Sequence, residues 1–262
     1  MVVVFVVLVF FSFGARGCAA LSTLSMPAMD STGKGIITTT SARLVADSSG
    51  VFLDTTPFSS VETQQSAENA AKLAARKAGA SLESNALLYS VHASAEIIDG
   101  PSGGIAFALL AYAEFSGKKP RSDLAVTGSI AQDGSVGKVG GVAEKLEAVH
   151  EAGLKIFLIP LGQGVQTGVD LRRLGGQWGM QVIEIANFDE AIAIAFTPTG
   201  SQVVAPKHET TPLVLAAIDA LPESQSMRFL AENEIRALAA EESELSKKND
   251  DSSALVASAL RD

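Results

Sequence analysis

Residues Gly137–Pro160 read GKVGGVAEKLEAVHEAGLKIFLIP. A glycine pair opens a helical pattern, Gly153 closes it, and a short β-rich run follows, so the stretch predicts a helix feeding a strand. At about 100° per residue, Val142, Leu146, Ala148, Val149 and Ala152 share one face. Ala143, Glu144, Glu147, His150 and Glu151 share the other. Lys145 falls between Val149 and Ala152, so its Cβ points to the apolar side. Two readings stand open at this point. Its methylenes can lie along the stripe with the charge in water. Alternatively the amine is buried, and desolvation brings its pKa from about 10.4 toward about 7–8, where a neutral amine serves as a general base.

The neighbouring segments extend this pattern in both directions. GIITTTSARLVADSSGVFLDTTP reads as two β runs around Asp47-Ser48-Ser49-Gly50, and SSVETQQSAENAAKLAARKAG as a helix with a Ser59/Glu62 capping box and Gly79 as its stop. ALLYSVHASAEII predicts a strand entering Asp99-Gly100, and GGIAFALLAYAEFSG an apolar helix. DLAVTGSIAQDGSVGKV predicts a hairpin turning at Asp133-Gly134. After KIFLIP come a glycine-rich loop (162–168) with a short helix, the strand QVIEI and a helix at NFDEAIAIAF. These elements predict an α+β domain over 34–197, preceded by a connector (23–33). A linker and an acidic helical extension (198–262) follow it.

Composition narrows the function. The 262 residues carry a formal charge of −9 and no dense Lys/Arg cluster, which argues against a nucleic-acid partner. Cys18 is the only cysteine, and His92, His150 and His208 are far apart, so neither a disulfide nor a common metal motif is indicated. No cofactor is expected. VVVFVVLVFFSFGA (Val2–Ala15) is apolar throughout and shorter than the roughly 20 residues that span a bilayer comfortably. Residues 1–22 therefore read as a signal peptide or a membrane anchor. The expectation is an exported or membrane-associated, extracytoplasmic protein.

IDGPSGGIAFALL supplies a nucleophile for the lysine. A strand ends at the Asp99-Gly100-Pro101 turn, and Ser102 sits at the mouth of a helix whose N-terminus favours developing negative charge. Ser102 also makes an ordinary N-cap. Gly100–Gly104 matches G-x-S-x-G, the elbow of α/β-hydrolase esterases, but that template needs a downstream histidine. His150 lies on the glutamate face and His208 in the linker-like segment. A serine with a lysine base is the competing template. A catalytically silent binding module is the third reading.

DGPSGG, DLAVTGSI and the opening stretch, in this order and spacing, resemble the proteolytic domain of the Lon proteases, which are Ser–Lys peptidases. The resemblance covers about 36–196. It implies a compact Lon-type fold of mixed small sheets and packed helices, with Ser102 as nucleophile and Lys145 as general base. Thr127 matches a threonine near the lysine amine, and Asp99 an acidic residue able to tune the dyad. The implied substrate is a peptide or unfolded polypeptide, and the implied assembly a ring-like homo-oligomer, a hexamer. The chain departs from the family at Gly103, where alanine is common, at Ser129, where glutamate is common, and at Ala143, where lysine is common. No G-x-x-x-x-G-K-[ST] occurs in these residues, so the expectation is a stand-alone, exported or membrane-tethered relative without its own ATPase.

Overall fold

The computed structural model describes residues 21–98, 100–166 and 169–208. The apolar leader, Cys18, Asp99 and the acidic C-terminal segment lie outside them. The chain divides into two units between Pro206 and Lys207, and only Lys207 and His208 of the second are described.

The elements follow in the order β1 (Ser22–Met29), β2 (Gly35–Ala46), β3 (Gly50–Ser59), α1 (Val61–Ala78), β4 (Asn85–Ile98), a 3-10 turn (Pro101–Gly103) and α2 (Gly104–Ser116). Then come β5 (Leu124–Val126), β6 (Ser129–Ile130), β7 (Val136–Gly137), α3 (Val142–Glu151) and β8 (Ile156–Pro160). The first unit ends with β9 (Val165–Gln166), β10 (Val169–Asp170), α4 (Leu171–Gln177), β11 (Gln181–Ile185) and α5 (Phe188–Ala195). The α+β class holds. Seven strands form one mixed sheet in the order β11-β8-β5-β1-β2-β4-β3, and β6-β7 and β9-β10 make two small ribbons.

The parallel half of the sheet is buried on both sides, and its strands alternate between two cores. Leu124, Val126, Ile156, Leu158, Ile183 and Ile185 pack with α1, α2 and α5. Ala125, Phe157, Ile159 and Val182 pack with α3 and α4. Helix α2 has no polar face: Ile105, Phe107, Leu109 and Leu110 are all buried, as expected of a helix that is apolar all round.

Two local expectations are corrected, at the connector and at the cap of α1. The segment 23–33 is no connector, because Ser22–Met29 forms a central strand, antiparallel to β2 and parallel to β5. Its serines and Pro27 hide it in the sequence. Pro27, which lacks a ladder donor, is tolerated because β1 meets β5 at Ser25 opposite Ala125, before the proline is reached. Strands β2 and β3 flank Asp47–Gly50 but do not pair, since β4 runs between them, antiparallel to β2 and parallel to β3. Ser60 rather than Ser59 caps α1, its hydroxyl accepting from the Thr63 N–H.

Residues 197–203 are also sewn to the sheet. Buried Arg121 forms a two-pronged pair with Asp123 at 2.6 and 2.9 Å, and donates to Thr197 Oγ1 and the Ser201 carbonyl. Gln181 donates to the Val203 carbonyl, and Val203 is buried.

Candidate active site

Helices α2 and α3 lie on opposite faces of the sheet, and their N-terminal ends approach each other past the end of β5. Thr127 and Gly128 follow that strand and organise the junction. The Ser102 carbonyl accepts from Gly128 N at 2.8 Å and from Thr127 Oγ1 at 3.3 Å. The same threonine hydroxyl accepts from Lys145 Nζ at 3.4 Å. One fully buried hydroxyl thus joins the serine segment to the lysine.

Each partner is held from outside the junction. Thr63 and Ser66 at the start of α1 donate to the carbonyls of Gly100 and Pro101. Gly104 packs so closely that a Cβ there would sit 2.8 Å from Ser66 Oγ and 2.9 Å from Ile130 N. On the other side Gly35 of β2 passes against the backbone of α3, where an added Cβ would collide with the Glu144 carbonyl. Gly141, at φ 66°, opens α3 in a left-handed conformation beside Met29. Met26 of β1 fills the space that a methyl on Gly103 would take, which gives the glycine at this position a physical reason.

Lys145 is 2% exposed, the lowest of any lysine among the described residues. The snorkelling alternative therefore fails for this side chain. Burial lowers its pKa to about 8, and the charge of neighbouring Glu144 only partly offsets that. The helical wheel placed the rest of α3 correctly, with Glu144, Glu147 and His150 exposed, although Ala152 is exposed as well.

Ser102 and Lys145 line one cleft of about 680 Å³, together with Met29, Asp30, Ser31, Pro101 and the loop Lys138–Gly141. Neither histidine weighed for the esterase template lines it. His150 is exposed and stacks on Trp178, with ring centroids 4.5 Å apart. Thr127 lies beside the lysine amine. Asp99 lies outside the described residues.

Gln163 was missed by sequence reasoning. Its side chain is 6% exposed and makes both hydrogen bonds of a peptide group to Val139, Oε1 accepting from the amide at 2.9 Å and Nε2 donating to the carbonyl at 2.7 Å. The loop that forms one wall of the cleft is pinned by that pairing. A polar residue in a glycine-rich loop carries no periodic signal that would have revealed it.

Comparison with known proteins places these features in a family. The profile of the Lon protease C-terminal proteolytic domain matches residues 59–198. The chain is 34% identical over 113 residues to the Lon protease of Escherichia coli (strain K12), covering 42% of this chain and 14% of that protein. It is 43% identical over 79 residues to the peroxisomal Lon protease homolog 2 of Bos taurus, covering 30% and 9%. It is 45% identical over 62 residues to the Lon protease of Desulforamulus reducens, covering 24% and 8%. The matched stretches are thus a small part of each of these longer relatives. With the domain profile spanning more than half of its residues, the chain belongs to the Lon protease C-terminal proteolytic domain family.

Proposed function

We propose that this chain is a serine-type endopeptidase that cleaves peptides or unfolded polypeptides with a Ser102–Lys145 dyad, without ATP, metal or organic cofactor. The observation that carries the reading is the buried Lys145 amine, tied through Thr127 to the Ser102 segment and lining the same cleft. With its pKa near 8, a substantial fraction of the amine is neutral at mildly alkaline pH. Neutral Nζ takes the Ser102 Oγ proton as the oxygen attacks the scissile carbonyl carbon. The oxyanion forms near the N-terminal end of α2, whose dipole favours negative charge. The ammonium then returns its proton to the leaving amine as the C–N bond breaks. A water attacks the acyl-enzyme, again giving its proton to Nζ, and the serine leaves with that proton restored. Thr127 orients the amine by accepting one of its N–H bonds.

A ring-like homo-oligomer, a hexamer, and attachment or export through the apolar residues 2–15 belong to the same proposal. They rest on the family resemblance and on the leader. The test is cleavage of an intrinsically unstructured protein by the full chain, without nucleotide and with chelator present, beside Ser102→Ala and Lys145→Met. Cleavage by wild type and its loss in both variants is the expected result. Undiminished cleavage by Lys145→Met rules out the dyad.

A further inference from the structure

The cleft holds a second lysine that the dyad does not use. Lys138 lines it beside Ser102 and Lys145, and none of the ion pairs among the described residues includes it. Its side chain is exposed, and its end lies beside Gly162, where an added Cβ would be in ordinary contact at 3.5 Å from both Cε and Nζ. The next residue, Val139, is pinned on both backbone groups by the buried Gln163 amide. Asp30 lines the same cleft, but its Oδ1 accepts from Thr32 N, Thr32 Oγ1 and Lys34 N within its own turn. Lys138 thus stands exposed on the wall of the cleft and makes no ion pair among the described residues.

We propose that Lys138 is a specificity-determining residue that receives a carboxylate of the substrate close to the scissile bond. The inference rests on the Ser102–Lys145 reading for where that bond lies. A bound peptide covers the cleft and shields the pair from water, so the contact discriminates more strongly than an exposed ion pair does. The carboxylate comes either from an acidic side chain or from the substrate's own C-terminus, and the two are separable.

The experiment uses one peptide scaffold with an amidated C-terminus, carrying Glu or Gln in turn at each position within three residues of the cleaved bond. A third arm carries Gln and a free C-terminal carboxylate. For the full-length protein we expect kcat/KM to favour a carboxylate-bearing peptide over its neutral partner by about three- to tenfold at low salt, shrinking as salt is raised. Lys138→Met brings that ratio close to one, and Lys138→Glu inverts it. A preference in the amidated Glu series assigns the side chain, and one confined to the third arm assigns the terminus. The same peptides, fluorescently labelled, are bound to Ser102→Ala and to Ser102→Ala/Lys138→Met and followed by anisotropy. That arm reads the charge preference even if no peptide is cleaved, so failure of the dyad and failure of this inference are distinguishable. No preference in either assay, or one that survives Lys138→Met, overturns the proposal.

Discussion

Lys145 Nζ and Thr127 Oγ1 meet at 3.4 Å at the end of β5, both residues buried beneath the cleft. The hydroxyl has one proton, and its geometry toward the Ser102 carbonyl uses that proton as donor. It therefore accepts from the amine, which leaves the amine's lone pair free to point elsewhere. The pair connects a helix on one face of the sheet with a catalytic candidate on the other.

Thr127→Val keeps the β-branched shape and removes that hydroxyl. The Ser102 carbonyl loses one of its two donors and the amine its acceptor, at a cost of about 1–2 kcal/mol in stability. Peptidase activity is expected to fall about 10- to 100-fold, with Thr127→Ser recovering most of it. Paired denaturation and steady-state kinetics check this. A valine variant with wild-type kcat removes threonine from the positioning role.

The pH profile follows from the buried amine. Lys145 has a folded pKa of about 8 against 10.5 for the free side chain. As a base it acts only when neutral, so kcat/KM is expected to rise with pH through an apparent pKa near 8. A profile already flat at pH 6 contradicts a lysine base.

The same shift makes a stability prediction of opposite character. Below about pH 8 the amine is protonated in both folded and unfolded chains, and the cost of burying its charge is present in full. Between 8 and 10.5 the folded chain gives up the proton first, so stability rises with pH, and above 10.5 the cost is gone. Lys145→Met should therefore be more stable than wild type at pH 7, by up to about 3 kcal/mol, and close to it above pH 10.5. Urea denaturation of both proteins across this range measures the difference. A variant equally stable at every pH means that the amine is not desolvated.

Gly35→Ala tests how tightly the lysine helix is seated. The new methyl meets the Glu144 carbonyl and lies 3.1 Å from Lys145 N, so α3 must move. A loss of about 1–3 kcal/mol is expected, with a larger fall in kcat than in substrate affinity. Thermal unfolding and kinetics at one pH decide it.

Arg121→Leu removes the cation that ties 197–203 to the sheet. Asp123 then stays behind at a largely buried position, and breaking such a pair costs about 3–5 kcal/mol. The Arg121 guanidinium holds the Asp123 carboxyl below its usual range. That contribution is present above the ordinary aspartate pKa and is lost as pH falls through the lowered one. The gap between wild type and variant should narrow in acid, as followed by denaturant midpoints.

Much of this was written in local order. A lysine on an apolar stripe and a serine at a helix mouth after Gly-Pro both follow from side-chain chemistry and from the period of the helix. Local patterns located α1 to α3, β4, β8 and β11, and singled out Ser102 and Lys145 as the proposed dyad. Strand β1 escaped because a central strand of serines, methionines and a proline earns its place from neighbours on both sides. The clamp of Gln163 on Val139 and the packing of Met26 and Met29 against Gly103 and Gly141 join residues distant in the chain. No window of sequence contains both partners. The sequence alone determined which groups are present and which faces they prefer. Tertiary structure decided how deeply the amine is buried and which hydroxyl it meets, because desolvation and hydrogen bonding depend on what the rest of the chain brings within a few ångströms.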